Sequence, residues 1–285
     1  MSELAIGQAQ QARRERNRRR RRRNNAGKDP VLLIGKICAW VAALVCLIPI
    51  PLVLAVATST NWARGFWAGG FTLKWLAQGW TGIASNYMFS LQLALLVLVL
   101  DFLIGMPAAW VLARRSFRAR GLASAITTMP IAIPGVALAL GLILSYPQLR
   151  PGGWLLIGGH VLYTVPFVIA TLTPALGNPR VREMEMAAIT LGASSLRRFL
   201  TVTIPGTRRA LLASIILAFT LSLGEFNVSF FLFTPLRQPL PVELYSSYIT
   251  NRLEIAAGNT VWFLLLVVPA AIILERLGGA KAGSA

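Results

Sequence analysis

Residues 177–209 read GNPRVREMEMAAITLGASSLRRFLTVTIPGTRR, a polar, basic stretch set between two long apolar runs. The stretch is organised rather than random. Arg182 to Leu191 predicts a short helix with Glu183 and Glu185 near its start, where carboxylates favour the helix dipole. Ala187 and Ala188 are small, so another chain can approach that helix closely. Gly192 breaks it. A second helical stretch follows, with Ser194 or Ser195 as candidate cap and apolar Leu196, Phe199, Leu200 and Val202. Pro205 stands thirteen residues after Gly192, just before the next apolar run.

Working outward, six apolar segments fall at roughly 31–58, 85–113, 121–146, 153–176, 209–234 and 258–277, each able to supply the ~20 residues that cross ~30 Å of hydrocarbon. Helices satisfy their own backbone hydrogen bonds and are the natural spanning form. A membrane β-barrel would alternate over ~10-residue segments, and none appear. Composition agrees: 55% of residues are apolar and 13% charged, about half the charged fraction of a soluble domain. The expected fold is all-α and integral to the membrane, with six transmembrane helices. Pro49 and Pro51, Pro107, Pro130 and Pro134, and Pro166 interrupt spans one to four. Such breaks fit a moving, water-lined pathway and equally fit ordinary kinked packing.

The net charge of +18 raises nucleic acid as a partner, but its placement argues for topology. Ten basic residues lie between Arg13 and Lys28, including the run Arg18 to Arg23. Others cluster after span two (Arg114, Arg115, Arg118, Arg120) and after span four (Arg180, Arg182, Arg197, Arg198, Arg208, Arg209). The opposite loops carry fewer, chiefly Arg64, Lys74, Arg150, Arg237 and Arg252. The positive-inside rule then places both termini in the cytoplasm. Trp62, Trp67, Trp75, Trp80 and Trp154 fit an outer aromatic belt. The expected organisation is a disordered Arg-rich tail (1–30), a first transmembrane helix (31–58), an outer loop (59–84), and a five-helix core (85–277). That core includes the cytoplasmic loop 177–208, and a short cytoplasmic tail (278–285) follows it. The first apolar run is too long for a cleaved signal peptide. Cys38 and Cys46, eight residues apart in that run, are too distant for a disulfide and read as apolar packing.

The run Met186-Ala187-Ala188-Ile189-Thr190-Leu191-Gly192-Ala193-Ser194, with Phe199 and Thr203-Ile204-Pro205, closely resembles the "EAA" loop of ABC importer permeases. That pattern is Glu-Ala-Ala, three residues, Gly, then Pro thirteen residues beyond. One departure is present: Met186 occupies the Glu position. Glu185, one residue earlier, is the candidate substitute, although a one-residue slip turns it ~100° around a helix. Phe71 to Trp75, Ser222 to Phe226 and Leu240 to Ser246 resemble spermidine/putrescine-type permeases. Permeases for iron(III), thiamine, sulfate and aminophosphonates look alike in these regions.

The resemblance implies a type I, methionine-importer-like permease fold in a bacterial inner membrane. It implies a coupling loop carried by Glu185, Met186, Ala187, Ala188, Gly192, Ala193, Ser194 and Pro205. It implies a second homologous permease subunit, two ATP-binding subunits, an extracytoplasmic solute-binding protein and a substrate such as a polyamine. Independently of it, the chain has no phosphate-cradling Gly-x-x-x-x-Gly-Lys-Ser/Thr loop. ATP and Mg²⁺ are therefore expected on a partner, with no cofactor here.

Ionisable groups inside spans are candidates for function. Glu225 lies about 24 Å along span five from Arg209. With Ser222, Asn227 and Tyr163 it forms the candidate substrate pathway, or else it packs against a neighbouring span. Asp101, in span two, reads as a packing group paired with a hydroxyl or a partner chain. His160, the single histidine, has no co-ligands for a metal and no nucleophile–carboxylate pairing. It reads as a hydrogen-bonded structural residue, so an intramembrane enzyme has no catalytic constellation. The remaining alternative is an Arg-tail tether to nucleic acid or anionic lipid. A basic flank beside a first span is instead expected to act as a retention charge.

Overall fold

The computed structural model describes residues 30–235 and 237–278. The chain divides into two units, residues 1–55 and 56–285. In the first lie α1 (Pro30–Leu47) and most of α2 (Pro49–Thr58). Together they give an apolar span, Leu33–Thr58, of mean hydropathy 2.6. Both cysteines are free thiols. The Arg-rich tail and the last seven residues lie outside the described residues.

The second unit opens with the segment that leads to α3 (Lys74–Arg114), a helix of 41 residues. At 1.5 Å per residue it runs roughly 60 Å, about twice the hydrocarbon thickness. The expected loop 59–84 therefore ends eleven residues early, at Leu73. Tertiary contacts hold this polar first part helical: the Trp75 indole donates to Ser59 O at 2.8 Å, and the Trp262 indole to Leu76 O at 3.0 Å. Gly79 permits the approach to α12 (Leu253–Gly278), since a β-carbon there would lie 2.6 Å from Asn259 Oδ1.

The third expected span is broken. α4 (Arg120–Ala132) and α5 (Gly135–Ser145) meet at 103°. Pro134 is the cause: it forces Ile133 into extended backbone (φ −86°, ψ 124°) and offers no N–H to continue α4. α6 (Trp154–Leu176) is the most buried of the long helices. Near one end it packs with α3, α5 and α10 (Asn227–Leu232) around Leu93, Val97, Leu156, Val228 and Leu232. Near the other it packs with α3 and α9 (Ile204–Gly224) around Ala109, Leu112, Val168, Leu172 and Ala218. Small residues let these helices close up, as membrane packing requires: a β-carbon on Gly105 would meet Val168 at 3.1 Å.

The polar loop holds α7 (Pro179–Thr190), followed by α8 (Ser195–Arg198), a π-helical turn (Phe199–Thr203) and α9 (Ile204–Gly224). The last three run on as one helix, Ser195–Gly224. The second loop helix is thus the base of span five, not a separate piece. Pro205 sits in the first turn of α9, directly after the wide π turn, where its missing N–H interrupts least. At the other end, span five stops at Gly224, short of the expected 234. Glu225 and Phe226 are non-helical, and α10 (Asn227–Leu232), α11 (Leu240–Thr250) and α12 (Leu253–Gly278) follow.

Among the described residues four helices are long and apolar enough to cross a membrane, or five if the bent pair is one span; α12 is apolar over Leu253–Pro269. Each of the six expected segments therefore has a helical counterpart. Among the described residues the only strand-like contacts are two isolated bridges, Ser59–Phe71 and Thr234–Arg237.

Candidate functional site

Local rules fix the shape of the loop. The Asn178 side chain accepts from Arg180 N at 2.9 Å and caps α7, with Pro179 in the first position. The helix starts three residues earlier than expected, so Glu183 and Glu185 fall outside its first turn, which holds no acid. At the far end Gly192 takes φ +77°. Gly192 N donates to Ile189 O at 2.9 Å and Ala193 N to Ala188 O at 3.0 Å, the paired bonds of a Schellman stop. Of the two candidate caps, Ser194 is the one used: its hydroxyl accepts from Arg197 N at 3.4 Å.

α7 has two unlike faces. Glu185 is buried, and the Arg114 guanidinium grips its carboxylate with a fork, Nη1 to Oε2 at 2.6 Å and Nη2 to Oε1 at 2.9 Å. The Thr203 hydroxyl donates to Oε1 at 2.5 Å. Arg182 reaches back to the carbonyl of Ala113. Burial pushes the Glu185 carboxyl up, but the bonds from Arg114 and Thr203 and the charges of Arg114 and Arg198 outweigh it. The carboxyl is held below its usual range. Arg114 also lies 4.8 Å over the Trp110 ring, which meets Phe199 edge-on at 5.7 Å.

Other positions of the loop are open to solvent. Met186 is 61% exposed, Ile189 45%, Leu191 87%, and beyond the turn Leu196 69%. Ala187, Gly192 and Ser194 are also exposed, with Ala188 and Ala193 half-buried and Pro205 exposed at the base of α9. Glu185, the candidate substitute for the motif's Glu, is buried. The 100° between neighbouring helical positions turns it inward while Met186 points out. Sequence reading missed Arg114, Thr203 and Arg182. One signal for Arg114 was present: Trp110 and Arg114 are four residues apart, the spacing of a helical cation–π pair.

The second candidate cluster surrounds the break after α9. Glu225 is buried, and its Oε2 accepts from Val228 N at 2.7 Å and Ser229 N at 3.0 Å. It caps α10 rather than facing open space. Ser222 is also buried and bonds His160 Nδ1 at 2.9 Å, while His160 Nε2 bonds Ser229 Oγ at 2.8 Å. His160 is thus hydrogen-bonded on both nitrogens and joins the two sides of the break. Asn227 is exposed, and Tyr163 is half-buried beside Phe167 at 6.1 Å. Next to Asn227, Phe226 and Phe230 meet Tyr245 at 5.4 and 5.6 Å. Asp101 is fully buried, and neither of its oxygens has a hydrogen-bond partner among the described residues. Thr164 beside it donates instead to His160 O at 2.7 Å. Among the described residues, no group of three or more His, Cys, Asp or Glu could hold a metal ion.

Comparison with known proteins places this architecture. The family described as "Binding-protein-dependent transport system inner membrane component" matches residues 101–280. The spermidine/putrescine transport system permease protein PotC of Escherichia coli K12 is 29% identical over 235 residues, covering 80% of this chain and 89% of PotC. The putative 2-aminoethylphosphonate transport system permease protein PhnV of Salmonella typhimurium is 27% identical, covering 85% and 95%. Among solved structures, a bacterial ABC transporter for the acidic polysaccharide alginate superposes with a TM-score of 0.63 at 17% identity, covering 86% and 95%. The inward-facing MetNI methionine ABC transporter gives 0.57 at 16%, covering 70% and 96%.

Proposed function

This chain belongs to the binding-protein-dependent transport system inner membrane component family, and from that membership we propose that the open face of α7 is where a separate ATP-binding subunit docks. The chain is a multi-pass inner-membrane permease subunit of an ABC importer with the type I fold, and not an enzyme. ATP binds on a separate subunit, and a partner permease and a solute-binding protein belong to the same system.

One observation carries the docking proposal. Met186, Ile189, Leu191 and Leu196, with Met184 and Leu200, stand exposed on a loop rich in polar and basic residues. Apolar side chains clustered outside the hydrocarbon mark an interaction surface. Met186, Ala187, Ala188, Gly192, Ala193 and Ser194 form the contact, and Pro205 ends the segment. The loop lies in the cytoplasm with both termini, as its arginines favour, and two ATP-binding subunits serve a pair of permease chains. Tagged full-length chain in mild detergent should co-purify an ATP-hydrolysing protein. Recovery of the chain without one would refute the docking.

The substrate we propose is a small organic amine, most simply a polyamine. The named cargoes of PotC and PhnV both carry a protonated amine. Asn227 beside the rings of Phe226, Phe230 and Tyr245 offers a carbonyl acceptor and aromatic faces, which attract such cations. Glu225 and Ser222 shape the break behind it, and Tyr163 lies on the adjoining helix. Uptake of labelled spermidine against 2-aminoethylphosphonate, iron(III) and thiamine decides among the cargoes. Spermidine uptake that persists unchanged in cells lacking this chain would contradict the polyamine assignment.

A further inference from the structure

We infer that the Arg114–Glu185 pair is the joint that hands movement of α7 to the membrane helix α3. The inference rests on the reading of α7 as the ATPase contact. Its basis is the way one carboxylate gathers three elements. Oε1 and Oε2 of Glu185 on α7 take both ends of the Arg114 fork at the last residue of α3. The same Oε1 takes the Thr203 hydroxyl, at the last residue of the turn that leads into α9. Arg182 adds a bond from α7 to Ala113.

The pair is nearly dry, its side chains 12% and 9% exposed. A buried ion pair is weak support for stability alone, because apolar side chains of similar volume often serve as well. Its distinctive property is direction. A two-bonded fork fixes both position and angle, whereas apolar side chains in contact slide past one another. Trp110 under the guanidinium and Phe199 against Trp110 hold the fork from behind. A load on the exposed Met186, about 100° around α7 from Glu185, therefore reaches α3 through Glu185. α3 is one continuous helix of 41 residues with Pro107 inside it, and its other end contacts α12 through Leu76 and Gly79. A displacement at Arg114 is delivered at the far side of the protein.

Spin labels test this on the full chain with its co-purified ATP-binding subunit in nanodiscs, with Cys38 and Cys46 replaced by Ser. Labels at Glu183, exposed on α7 and outside the proposed contact, and at Leu103 report the joint; labels at Met88 and Tyr248 report the far end of α3. The wild-type protein should give one narrow 183–103 distance, and ATP with vanadate should shift the 88–248 distance. In Glu185→Gln the 183–103 distribution should broaden at least twofold. The 88–248 shift should disappear while ATP hydrolysis stays within twofold of wild type. Thr203→Val, which keeps the ion pair and folds more safely, should give a partial loss of the shift. A wild-type shift in Glu185→Gln, or an unbroadened 183–103 distance, overturns the joint. If no ATP-binding subunit co-purifies with wild type, the docking reading fails instead. The joint is then judged by the 183–103 width of the chain alone.

Discussion

Gly159 on α6 and Val228 on α10 touch so closely that a β-carbon on the glycine would lie 2.7 Å from Val228 Cγ1. Leu232 Cδ1 would be 2.6 Å away, and both neighbours are fully buried. Gly159→Ala should therefore overpack this contact and destabilise the protein by about 1–3 kcal/mol. Gly158→Ala, where nothing lies within 4 Å, should be silent. Thermal unfolding of the purified variants checks both, and equal midpoints would refute the packing argument.

His160 should behave as a structural bridge. Removing its ring leaves the hydroxyls of Ser222 and Ser229 buried without the partner they now share. His160→Ala should cost on the order of 3 kcal/mol, and His160→Gln, which can still bond one hydroxyl, should cost less. Uptake per folded molecule should be retained in both. Loss of uptake from a well-folded Gln variant would assign the histidine to transport.

The loop should weaken in acid. The folded-state value of Glu185 lies below its ordinary 4.5. The carboxylate thus contributes stability that is complete above the unfolded value and is lost as pH falls through the folded one. Limited proteolysis between Arg180 and Arg198 should accelerate as pH drops below about 4.5. Glu185→Gln should be cut faster at neutral pH and show a flatter acid response. An identical pH profile in the variant would place the acid sensitivity elsewhere.

Leu191→Asp should separate docking from folding. Leu191 is 87% exposed, so the change should alter thermal stability by no more than ~0.5 kcal/mol. Co-purification of the ATP-binding subunit should fall at least tenfold. A variant that folds normally and still recovers the subunit fully would remove this residue from the interface.

Hydropathy and loop charge made the spans legible, because membrane length and breaker placement are local properties. The Schellman stop at Gly192 and the cap at Ser194 were legible for the same reason. The fork between Arg114 and Glu185 was not, since it joins residues 71 apart. Proximity of that kind follows from helix packing, not from spacing. The inward turn of Glu225 was hidden too: an apolar run with a central acid reads as a span, while the helix stop at Gly224 and the amides of α10 appear only once the chain is folded. The bend at Pro134 was half visible, because the proline announces a break but not its 103° angle.

On the proposal above, the side of α7 bearing Met186 meets a separate ATPase. Site-directed crosslinking from Ala187→Cys or Gly192→Cys, in membranes actively importing solute, is the decisive experiment. A covalent adduct to a nucleotide-hydrolysing protein should form, with its yield changing when ATP is added. Continued uptake with no such adduct from either position would contradict it.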